Sequence, residues 1–179
     1  MLFRSKGSFV GITNAGGIQF FYYATDTDQY VSFRGTNSAC NVIADIYSSF
    51  TEVSTLDMKF HTGFLAPALE AFNCTGLDGS TLKACNCDSS SDPKCSDMYN
   101  KSIVNLLLLA GKKKLHVTGH SLGGAVAAIF SLLAAKKGIT VDSLVTFGQP
   151  EVTDLNGVQT YEKKFANLIN MTKIGRAHV

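Results

Sequence analysis

Charge is scarce in this chain of 179 residues: charged side chains make up 17% of it and the formal net charge is only +2. So small an excess excludes the electrostatic footprint of a nucleic-acid binder. The one basic run, Lys112-Lys113-Lys114, ends a helical pattern, where cations meet the negative end of the helix dipole. It reads as a solvated helix end. Long apolar runs are missing as well. Leu106–Ala110 is far too short to cross a bilayer, and Ala125–Ala135 continues a motif described below, so no transmembrane segment is expected. The opening residues MLFRSKGSFVGI hold no apolar run followed by a small-residue cleavage site, so no signal peptide is read there. Internal repeats are absent and no second domain is read, so a chain of this length is expected to form one domain.

Histidine is rare too, with four in the chain. None lies in the loop where Cys74, Cys85, Cys87 and Cys95 crowd together with Ser, Asp, Gly and Asn. A C-x-C spacing without histidine argues against a zinc knuckle, so no metal or other cofactor is expected and disulfides are favoured, their connectivity open. Cys40 stands apart. Disulfides imply a secreted or extracellular protein whose chain here begins after its true start. Asn73-Cys74-Thr75, Asn100-Lys101-Ser102 and Asn170-Met171-Thr172 are glycosylation sequons and add a little to that reading.

What is present is organised around Lys114–Phe130, KLHVTGHSLGGAVAAIF. Leu115, Val117 and Thr118 form a short apolar strand, Gly119-His120-Ser121-Leu122-Gly123 follows, and a run of helix formers comes after. Strand, G-x-S-x-G and helix in that order is the context a nucleophile elbow requires. The serine sits on a strained turn, and Gly119 and Gly123 keep its approach open. Gly124 lets the helix pack close to the sheet. Backbone N–H groups at the helix start can hold developing negative charge. Ser121 is the expected nucleophile.

Elsewhere, Ser8–Thr13, Ile18–Thr25 and Tyr30–Phe33 read as strands, with turn residues between them. Asn37–Ser49 reads as a short amphipathic helix with Val42, Ile43, Ile46 and Tyr47 on one face. Phe50–Ser54 and Met58–His61 read as strands, and Phe64–Phe72 as a helix with Pro67 in its first turn. Asp97–Ala110 reads as a largely buried helix that Gly111 ends. Ser143–Phe147 is a strand, and a last one is expected near Phe165–Ile169. Alternating strands and helices around a central elbow make an α/β sheet, mostly parallel and flanked by helices, with its site at the strand C-terminal ends.

Three motifs now stand together: FRGT at Phe33–Thr36, GHSLGG at Gly119–Gly124 and TFGQPEV at Thr146–Val152, supported by NVIADI at Asn41–Ile46 and FHTGF at Phe60–Phe64. In this order the set resembles the fungal-type class 3 lipases of the α/β-hydrolase fold, from about Tyr30 to Asn170. The resemblance implies a carboxylic-ester hydrolase acting on acyl lipids through a serine acyl-enzyme, with the lipid–water interface as its partner. Phospholipase A1 and feruloyl esterase of the same fold stay open, as does a non-catalytic lipid- or partner-binding module. It implies an oxyanion hole from the Leu122 N–H with the Thr36 N–H and hydroxyl. A lid over the site is implied on the segment holding Asn41, Val42, Ile43 and Ile46. Val42 departs from the bulky aromatic of close relatives.

The triad is incomplete in this sequence. This fold orders serine, acid, histidine, which sets aside His61, His116 and, as a neighbour pointing away on the turn, His120. After Ser121 come Asp142, at the wrong end of its strand, then Glu151, Asp154 and Glu162. The family takes its acid after the next strand in a pattern like N-x-x-D, and Lys173 stands where the acid should be. Ile174–Val179 back-translates to ATC GGA AGA GCA CAC GTC, the start of a common short-read sequencing adapter. Residues 1–173 are therefore read as a partial α/β-hydrolase domain, incomplete at its C-terminal end, with a cysteine-rich insertion at about 74–95. Residues 174–179 are read as a non-native tail, with His178 a decoy.

Overall fold

A computed structural model describes residues 8–15, 18–35, 49–73, 103, 107–108 and 111–175. Strands β1 (Ser8–Ala15), β2 (Ile18–Ala24) and β3 (Asp28–Phe33) form an antiparallel meander, with a register shift between Val10 and Ile12. A separate hairpin, β4 (Phe50–Val53) and β5 (Met58–His61), leads into helix α1 (Thr62–Asn73). Then β6 (Lys114–His120), α2 (Leu122–Lys136), β7 (Val141–Phe147), α3 (Leu155–Lys164) and β8 (Ile169–Ile174) follow. The main sheet runs β1-β2-β3-β6-β7-β8, parallel from β3 onward.

Period-two alternation decides which face is inside. Phe20, Tyr22, Val31, Phe33, Leu115, Val117 and Leu144 are buried, while Phe21 and Tyr30 lie on the other face, each 38% exposed. The covering helix is α2, buried from Gly123 through Ala135. Its small residues allow close approach, and Phe130 wedges against Phe33 at 5.1 Å and Phe72 of α1 at 5.6 Å between ring centres. Helix-linked parallel strands thus leave their C-terminal ends on one rim of the sheet, where the elbow emerges.

Several expectations are corrected. Helix α1 starts at Thr62, not Phe64, because the Ser49 carbonyl accepts the Thr62 N–H at 3.1 Å and its hydroxyl at 3.2 Å. Pro67 is therefore inside the helix rather than in its first turn, and removes the bond that would reach Gly63. Helix α3 was not expected; Asp154 caps it by accepting the Gly157 N–H at 2.8 Å. The last strand is Ile169–Ile174, not Phe165–Ile169, because buried Phe165 closes α3 through its N–H to Tyr161, 2.8 Å away. Ile103 and Leu107 are helical and buried as expected, whereas Leu108 is 51% exposed. Gly111 ends that segment at φ 66°. The lid residues, Thr36, the five cysteines and His178 lie outside the described residues.

Candidate active site

Strand β6 brings Gly119 and His120 to the C-terminal rim of the sheet, held by buried Leu115 and Val117. Ser121 then takes φ 53° and ψ −125°, and α2 begins at Leu122. A positive φ on a non-glycine residue costs on the order of 1–3 kcal/mol and persists only where the surroundings impose it. Here they do. The Ser121 N–H donates to the Phe147 carbonyl at 2.8 Å, and its own carbonyl accepts from Gly124 at 2.9 Å and Ala125 at 3.2 Å.

Glycines lock the elbow against the neighbouring strand. A Cβ on Gly119 would stand 2.1 Å from the Gly123 carbonyl oxygen, and one on Gly123 would stand 2.4 Å from the Phe33 oxygen. Reciprocally, a Cβ on Gly35 would meet the His120 oxygen at 2.8 Å and Ser121 Cβ at 3.6 Å. The end of β3 and the elbow are thus in backbone contact, which is what a strand carrying an oxyanion donor beside a nucleophile needs. Gly124 brings α2 onto the end of β7, where its Cβ would lie 3.2 Å from Gln149 Cβ and 3.4 Å from Thr146 Cβ.

Chemically, the turn presents a half-buried hydroxyl at the head of a helix. The N–H groups of Leu122 and Gly123 are the first of α2 and have no acceptor within it. They lie at the positive end of the helix dipole, suited to an oxyanion. Among the described residues Ser121 Oγ has no hydrogen-bond partner.

The other candidates lie elsewhere. His120 is exposed, with Nε2 3.7 Å from where a Gly148 Cβ would be. His61 is packed between Phe50 and Phe64, at 4.0 and 5.9 Å, and its backbone N–H donates to the Val152 carbonyl at 3.1 Å. His116 sits low on β6, with Nε2 2.8 Å from Asp28 Oδ1. Asp142 Oδ2 accepts the Leu115 N–H at 3.0 Å, at the start of β7 and away from the rim. Asp154 is taken by its cap, and Glu151 and Glu162 are exposed. Lys173 is opposite Thr146 inside β8, not after it, so the position following the strand falls at Gly175 or later. The TFGQPEV motif pointed to a family but not to the Phe147 carbonyl or to Gln149, which is only 5% exposed. A polar residue just past a strand end, beside Gly148, was the available signal.

A mostly parallel sheet with a strained serine between strand and helix defines the α/β-hydrolase fold. The class 3 lipase family model matches residues 30–175, and the chain belongs to that family. Among solved structures, the lipase from Rhizopus microsporus var. chinensis is 25% identical, with TM-score 0.62 over 93% of this chain and 52% of its own. The Rhizomucor miehei triacylglyceride lipase is 20% identical, with TM-score 0.65 over 90% and 55%. The Yarrowia lipolytica lipase is 20% identical, with TM-score 0.62 over 93% and 54%. The chain thus spans about half the length of the solved lipases it matches. No curated protein matched.

Proposed function

We propose that this chain carries the nucleophile half of a secreted carboxylic-ester hydrolase acting on acyl lipids. The observation that carries the proposal is Ser121, held at positive φ on the head of α2 beside N–H groups that have no acceptor within that helix. Ser121 Oγ attacks the ester carbonyl, and the oxyanion is held by the Leu122 N–H with the N–H and hydroxyl of Thr36. The alcohol leaves, and water then releases the acid from the acyl-serine. Among the described residues no histidine or carboxylate is hydrogen-bonded to Ser121, so on this proposal the groups that activate it come from outside the described residues. On this proposal the 179-residue chain alone turns over slowly, since loss of the base costs several orders of magnitude. The lid segment with Asn41, Val42, Ile43 and Ile46 covers the site and meets the lipid surface.

A serine-directed fluorophosphonate tests the nucleophile. Protein extended to a complete hydrolase domain should be labelled at Ser121, and Ser121→Ala should abolish labelling. An extended protein that folds yet stays unlabelled would favour the binding-module alternative. Hydrolysis of a p-nitrophenyl ester by the present chain at ordinary enzymatic rates would refute the slow-turnover claim.

A further inference from the structure

Of the three glycosylation sequons, only Asn170-Met171-Thr172 lies wholly among the described residues, within β8. The register gives its direction. Met171 stands opposite Leu144, and Thr172 opposite Val145. Leu144 and Ile169 are buried on the face that α2 covers. Successive side chains of a strand alternate between faces, so Asn170 and Thr172 share the face turned away from α2. Both are exposed, and no hydrogen bond among the described residues holds the Asn170 amide. The edge of β8 supplies the second observation. Among the described strands β8 pairs with β7 alone, and Met171 and Ile174 stand exposed along it. Open edges are commonly blunted by charge, by proline or by a cover. Strand β8 has one charge, Lys173, and no proline. A glycan is bulky and strongly hydrated, so it would serve as the cover.

We propose that Asn170 is an N-glycosylation site whose glycan shields the β8 edge. In the transfer, Asn170 Nδ2 attacks the anomeric carbon of an oligosaccharide carried on a polyprenyl diphosphate. The C–N bond forms, the C–O bond to the diphosphate breaks, the amide gives up one proton, and polyprenyl diphosphate leaves. The Thr172 hydroxyl completes the sequon, and Met171 between them is compatible with it because it is not proline. The inference rests on the secreted reading above, since the transfer takes place on the secretory route.

The test expresses the full chain in yeast behind a leader peptide. The leader supplies that route, so an unmodified Asn170 would count against the site and not against the compartment. Peptide mapping after release of glycans by an N-glycosidase should find Asn170 converted to aspartate. Asn170→Gln and Thr172→Ala should each abolish this signal, whereas Thr172→Ser should retain it. Mapping reads unfolded peptides from cells and medium alike, so the contrast survives any loss of stability in a variant. By light scattering, the enzymatically deglycosylated chain should gain mass with concentration, and the glycosylated chain should not. An unmodified Asn170 in the wild-type chain would overturn the site. Equal association of the two forms would overturn the shielding role.

Discussion

Gly123 and Gly138 are both invisible to a hydrophobicity plot, yet they are glycine for different reasons. Around Gly123 the obstacle is another backbone, the Phe33 carbonyl at 2.4 Å from a would-be Cβ. Gly138 has open space and φ 80°, so only its own backbone resists a side chain. Gly138→Ala should cost roughly 1–2 kcal/mol, whereas Gly123→Ala should cost about 3 kcal/mol or more, because two main chains must part. Urea denaturation of both variants checks the order. Ser121 offers the complementary case, an L-residue where glycine would be relaxed. Its strain of about 1–3 kcal/mol exceeds the ~0.5–1 kcal/mol that glycine loses in backbone freedom. Ser121→Gly should therefore be about 1 kcal/mol more stable than Ser121→Ala by the same measurement. Equal stabilities would mean that the turn stores no strain.

Between elements, the joint of β3 and β6 is polar at its lower end. Asp28 accepts from the Thr27 hydroxyl and lies 2.8 Å from His116, while Lys114 N–H donates to Thr27 at 3.0 Å. The Thr27 hydroxyl first, and His116 second, hold the Asp28 carboxyl below its ordinary value of 3.8. A depressed carboxyl stabilises the fold above its unfolded value and loses that contribution as pH falls through the folded one. The stability difference between wild type and Asp28→Asn should thus be present at about pH 6 and shrink by about pH 3. Urea midpoints at both values measure it; a constant gap would contradict the linkage. The strands on either side of this joint were legible because each hides one face, as in the alternation from Phe20 to Phe33. The elbow was legible because its steric demands fall on consecutive residues. Helix α3 was not. Its apolar residues are only Leu155, Val158 and Tyr161, of which the first two are exposed, and its cap Asp154 resembled a candidate acid as much as a helix start. Gln149 was missed because burial of a loop residue depends on α2 and β7 meeting, which no local pattern encodes.

At the scale of the whole molecule, the two margins of the sheet differ. On one side β1 closes the meander; on the other β8 is outermost among the described strands, its residues after Ile169 exposed. Around it stand Leu155 at 73%, Val158 at 43%, Met171 at 41% and Ile174 at 48% exposure. An open strand edge beside apolar side chains is a template for pairing with other chains. The protein should therefore self-associate as its concentration rises, with weight-average mass by light scattering increasing. Leu155→Lys combined with Met171→Lys should suppress that rise, since lysines bring repulsion to the edge and its flank. The same pair should leave the urea midpoint within about 0.5 kcal/mol, because exposed sites contribute little to folding. A midpoint that falls sharply would mean these residues are core. Association that persists at full strength would place the adhesive surface elsewhere, with the aromatic face of Phe21 and Tyr30, each 38% exposed, next to be tested.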